Sequence, residues 1–235
     1  MRNVFVRGAV AGAVSGLLTS VAAYFWLEPI LSRAIELEGP ADGEGPVSRQ
    51  TQKLVGMPAG FLLVGIALGL LFAVAYRVLP SVAPAWQRSM GLAAGGFLAL
   101  ALIPQLRYPA NPPGVGDPDT IGLRTSSFLL AVALGLVTTS GAYAGLRALR
   151  ARGVGAAPRQ AAVAVGAVLA VAVGYLLLPD SGDVVDAPAS LVYDFRVRSL
   201  GLLVLFYPLL GAAFGALTLY ADRPAVRDQR DRQPA

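Results

Sequence analysis

Only 14% of the 235 residues are charged, 55% are hydrophobic and the mean hydropathy is +0.62. A soluble domain carries about a quarter charged residues, so most of this chain is solvated by lipid. Cysteine and histidine are both absent, which excludes disulfides, thiolate or imidazole metal sites, haem ligation through either residue, and His- or Cys-based catalytic dyads. The formal charge of +5 does not point to nucleic acid, because the arginines flank apolar runs instead of forming a stripe.

The apolar runs match a hydrocarbon core of roughly 30 Å crossed at about 1.5 Å per residue. The fold class is therefore all-α: a polytopic helical membrane protein with about six transmembrane helices. The first span runs from about Gly8 to Leu27, opened by Arg2 and Arg7 and closed by the interfacial aromatics Tyr24, Phe25 and Trp26. Val21-Ala22-Ala23 could be read as a signal-peptide cleavage site. The row Gly8, Gly12, Gly16 instead marks a helix-packing face that a discarded peptide would not need.

After Glu28-Pro29, the spacing places Ile30, Leu31, Ala34 and Ile35 on one face and Glu28, Ser32 and Glu36 on the other. This pattern predicts an amphipathic helix lying on the membrane surface, with proline tolerated in its first turn. Gly39 to Pro46 reads as an acidic flexible loop, and Val47 to Leu54 as the return to the bilayer. The remaining spans cover about Val55–Val78, Trp86–Ile103, Ser126–Leu146, Gln160–Leu178 and Leu200–Tyr220. Pairs at four-residue spacing recur as Gly65/Gly69, Gly91/Gly95, Gly141/Gly145 and Gly211/Gly215, and predict close helix approach. Residues 1–222 read as a single transmembrane domain and 223–235 as a disordered cytoplasmic tail.

Basic residues set the orientation. Twelve of the 19 lie at the N-terminus, after the second and fourth spans and in the C-terminal tail, whereas the other three loops hold eleven of the 14 acidic residues. By the positive-inside rule both termini are cytoplasmic in a multi-pass protein of the cytoplasmic (inner) membrane. Three polar segments then face outward: 28–53, 104–125 and 179–198.

The densest of these is Pro104 to Thr125, which carries Arg107, Tyr108, Asn111, Asp117, Asp119 and Arg124 between prolines. It predicts a polar outer vestibule, with Glu28 and Glu36 contributed by the first loop. Carboxylate oxygens suit hard divalent cations, and Glu28, Glu36, Asp117 and Asp119 are the candidate ligands. The competing reading has these carboxylates pairing with Arg33, Arg107, Arg124, Arg196 and Arg198 to hold the loops together.

No phosphate-cradling glycine loop follows a strand, and a serine nucleophile would have only Lys53 or a carboxylate as base. No enzymatic site and no cofactor are expected. Asp, Glu, Lys and Arg are absent from the depth of every span, where proton- or sodium-coupled transporters often place one. A path would need unwound backbone near Pro104 and Pro58, or a partner subunit.

Several blocks carry a family resemblance: Glu28-Pro29, Arg33 to Glu36, Val47-Ser48-Arg49, Arg107-Tyr108-Pro109-Ala110-Asn111-Pro112-Pro113, Val115-Gly116-Asp117-Pro118, Thr120-Ile121 to Arg124, and Phe195-Arg196 with Ser199-Leu200. Together they resemble the CbtA family across nearly the whole chain. The resemblance implies a cobalt transporter subunit with a small one-span CbtB-like subunit as partner; the metal ligands Glu28, Glu36 and Asp117 rest on carboxylate chemistry alone, and the surrounding membrane lipids on hydropathy. Many members carry a histidine-rich segment in the first long loop, where this chain has Asp42-Gly43-Glu44-Gly45. Two other classes stay open: a non-transporting accessory or scaffold subunit, and a carrier of a small anionic or organic solute held by Arg107, Arg124, Arg196 and Arg198.

Overall fold

A computed structural model describes residues 3–38, 47–182 and 185–230, with Glu38 and 223–230 given by backbone alone. The acidic loop Gly39–Pro46 and the side chains of the C-terminal tail lie outside the described residues. Among those described, the regular elements are helices, six of them long and apolar enough to cross a membrane. The spans are α1 (Val4–Trp26), α3 (Arg49–Val78), α4 (Ala85–Arg107), α5 (Ile121–Ala151, entered by a 3₁₀ turn at Pro118–Thr120), α6 (Ala156–Leu177) and α7 (Ala189–Arg230). The short helix α2 (Glu28–Glu38) follows α1 after a single turn residue, Leu27.

Two helices start ahead of their apolar runs because a side-chain cap, not hydropathy, sets where they begin. Asn3 accepts the Phe5 N–H (2.9 Å) and starts α1 before its apolar stretch. Ser48 accepts the Thr51 N–H (3.3 Å), so α3 begins at Arg49, ahead of the span expected from Val55. Both α3 and α4 contain a π-helical segment, Gln52–Gly56 and Leu98–Leu102, each followed by a proline, Pro58 or Pro104, in the next turn. A helical proline removes one N–H and crowds the carbonyl four residues back, and one widened turn accommodates that defect.

The chain divides into two compact units, one of residues 1–96 and 201–235 and one of 97–200. In the first, α1 and α3 run antiparallel in backbone contact. A methyl group built on Gly8, Gly12 or Gly16 would fall within 3.0 Å of the carbonyl of Gly69, Gly65 or Phe61 respectively. Phe214 of α7 is fully buried and stacks 5.0 Å from Phe72 and 4.8 Å from Tyr76. Arg88 lies 3.9 Å over the Tyr76 ring and donates to the Tyr76 and Leu79 carbonyls, so it caps the end of α3.

The second unit holds the last turns of α4, all of α5 and α6, and the first turns of α7. Gly135 of α5 sits against the Ala99 carbonyl in the π segment of α4, closer than any side chain there would allow. Tyr175 of α6 donates its hydroxyl to the Ile103 carbonyl. Gly91, Gly95 and Gly141 do not mark close approach, since nothing among the described residues lies within 4 Å of a methyl built there. The small-residue spacing is met at α1, α3 and α7, where Gly211 approaches Ala93 and Gly215 approaches Trp86.

Candidate functional site

Two polar clusters stand out, one in each unit. The first is built on Glu28, which opens α2 immediately after α1. Ile30 and Ala34 on the apolar side of α2 are buried, but the opposite side does not simply face water. Glu28 itself is only 5% exposed. Its Oε1 takes three donors: Arg49 Nη2 at 2.6 Å, Lys53 Nζ at 3.0 Å and Ser32 Oγ at 3.2 Å. Lys53 Nζ also donates to Ser32 Oγ at 2.9 Å. Glu28 Oε2 is buried and has no hydrogen-bond partner among the described residues. Both cations come from the start of α3, Arg49 from its first turn and Lys53 from the π segment. Glu36 and Arg33, further along α2, are exposed.

The second cluster fastens the segment after α4 to the segment after α6. Arg107 Nη2, at the end of α4, meets Asp180 Oδ1 at 2.9 Å and lies 5.2 Å over the Tyr108 ring. Buried Tyr108 donates its hydroxyl to the Pro179 carbonyl. From the first turns of α7, Arg196 donates to Asn111 Oδ1 (2.8 Å) and the Ala110 carbonyl (3.3 Å). Between these anchors the chain turns at Gly114 (φ 73°) and Gly116 (φ 110°), backbone conformations that side chains rarely adopt. Asp117 then accepts the Asp119 N–H at 2.9 Å, and its carbonyl accepts the Thr120 hydroxyl at 2.7 Å. That side chain is thereby engaged in starting the 3₁₀ turn into α5. Asp117 and Asp119 are exposed, and Arg124 and Arg198 are half-buried.

The residues expected to form one vestibule are thus divided between the units: Glu28, Arg33 and Glu36 in one; Arg107, Tyr108, Asn111, Asp117, Asp119, Arg124, Arg196 and Arg198 in the other. Among the described residues, no three carboxylates form a group that could hold a metal ion. Of the ion pairs the structure gives, Glu28 pairs with Arg49 and Lys53, and Arg107 pairs with Asp180. The sequence reading placed Arg49, Lys53 and Asp180 in the polar outward segments 28–53 and 179–198 but did not single them out as ion-pair partners, because the pairing depends on where α3 starts and how the second loop folds back. One signal was available for Lys53: it is the one lysine among the 19 basic residues.

Fold and polar clusters define a class first: a multi-pass helical membrane protein whose few buried charges are gathered at helix ends. The family model for CbtA, described as a probable cobalt transporter subunit, matches residues 1–219. The chain belongs to the CbtA family. Searches of curated proteins and of solved structures each returned no match.

Proposed function

We propose that the chain is the membrane permease subunit of an uptake system for a divalent cation, with cobalt as that cation. The family match over residues 1–219 carries this reading. The excess of acidic residues in the segments 28–53, 104–125 and 179–198 supports it, since by the charge rule these face outward and would raise the local cation concentration. Glu28 and Glu36 in the first unit, and Asp117, Asp119, Tyr108 and Asn111 in the second, are proposed as oxygen donors to the ion, each group within its own unit. Arg107 and Arg196 keep the second loop in shape. Uptake of radioactive cobalt by cells with and without the chain tests the reading. Uptake that depends on the chain is expected, and unchanged accumulation of Co²⁺, Ni²⁺, Mn²⁺ and Mg²⁺ would defeat it.

A second reading, an accessory subunit with no path of its own, draws on the lack of a three-carboxylate group among the described residues. In that case the purified chain would transport nothing in proteoliposomes and would restore uptake only together with a stoichiometric partner, such as a small one-span subunit.

A further inference from the structure

Glu28 is arranged unlike a plain structural ion pair. A carboxylate that clamps two helices would be expected to use both oxygens, as in a bidentate arginine pair. Here Arg49 and Lys53 both bind Oε1, while Oε2 stays buried and unpartnered among the described residues. Among the described residues two cations share this one carboxylate, so the cluster there holds one positive charge more than its anion requires. The Lys53 ammonium sits between two oxygens, Glu28 Oε1 at 3.0 Å and Ser32 Oγ at 2.9 Å, in the manner of a small bound cation.

The identity of that residue matters. The chain uses arginine at every other basic position, and its single lysine stands here. An ammonium is a compact point charge on a flexible stem, close to a metal ion in how oxygens surround it, whereas a planar guanidinium is not. Lys53 also has somewhere to go. Its side chain is 29% exposed against 7% for Glu28, and it rises from a π-helical turn, an irregularity that often marks functional sites.

We propose that Lys53 is a tethered stand-in for the transported cation: its ammonium fills the Glu28–Ser32 cradle in the ion-free protein and leaves when a divalent cation takes its place. This rests on the permease reading for the identity of the ion. In the empty state the ammonium spares the protein an unpaired buried carboxylate. In the loaded state the ion takes Glu28 Oε1, the vacant Oε2 and Ser32 Oγ, and keeps water on its remaining positions. Arg49 stays beside the carboxylate and repels the ion, which keeps binding weak enough for release, as a transport site needs.

Mn²⁺ binding to the full-length chain in lipid nanodiscs, followed by electron paramagnetic resonance, tests the proposal. If Lys53 fills the cradle at least nine-tenths of the time, Lys53→Met binds Mn²⁺ about tenfold or more tightly. Lys53→Arg retains the weak binding of the wild type or binds more weakly, and Glu28→Gln loses the site. A second measurement uses the unaltered protein: amine acetylation at Lys53, read by mass spectrometry, rises when Mn²⁺ is added and not when Na⁺ is. Mn²⁺ affinity that is unchanged or lower in Lys53→Met, or Lys53 acetylation indifferent to Mn²⁺, would overturn the proposal. Cobalt uptake separates it from the reading beneath it. Uptake lost with the chain but Lys53 indifferent to Mn²⁺ removes the stand-in alone; Lys53 displaced by Mn²⁺ without any chain-dependent uptake upholds the cradle and removes the permease.

Discussion

At the scale of single residues, burial decides which polar contacts matter. Asp180 is 93% exposed, so its ion pair with Arg107 is a surface pair worth under about 1 kcal/mol. Asp180→Ala is expected to leave the midpoint of thermal unfolding, read by tryptophan fluorescence in detergent, within experimental scatter. Arg196 is different, because it fills the oxygen of Asn111 and the carbonyl of Ala110 in partly buried positions. Arg196→Ala removes both of these hydrogen bonds, at about 1–3 kcal/mol in all, and is expected to speed proteolysis within 109–117 while Asp180→Ala does not. Glu28→Gln removes the anion shared by Arg49 and Lys53. Those two side chains are 35% and 29% exposed and can turn to water, so the expected loss is about 1–2 kcal/mol, below the range for a fully buried broken pair. A lowered unfolding midpoint checks it.

At the scale of helices, backbone contact between α1 and α3 is what the glycines provide. Gly12→Ala places a methyl group against the Gly65 carbonyl, with no flexible side chain there to yield, and is expected to cost about 1–3 kcal/mol. Gly166→Ala in α6 meets nothing among the described residues within 4 Å and is expected to leave the unfolding midpoint unchanged or to raise it slightly, since alanine is the better helix former. This face of α1 was readable in the sequence because glycines every four residues fall on one side of a helix whatever the partner. The Gly135 contact was not readable. Its partner is the Ala99 carbonyl, and that atom's place depends on the π segment ahead of Pro104, which hydropathy does not register. The Glu28 cluster was half readable in the same way: Glu28 stood out, but its partners stand in the first and second turns of a helix whose start is set by the Ser48 cap.

At the scale of the whole molecule, the number of spans followed from apolar length alone, and the six helices agree with it. The division into two units did not, because α4 passes from one unit to the other inside an apolar run and α7 does so without any break in its helix. The proposed sidedness has a clean check, since the chain contains no cysteine. A cysteine introduced at exposed Asp119 is expected to react with a membrane-impermeant maleimide in intact cells. One at exposed Arg152, between α5 and α6, should react only after permeabilisation. The central claim, that this CbtA-family chain carries a divalent cation inward past Glu28, is tested most directly by radioactive cobalt uptake in cells expressing the wild type or Glu28→Gln at equal membrane levels. The account expects chain-dependent uptake that Glu28→Gln abolishes. Equal uptake by cells with and without the chain would contradict it.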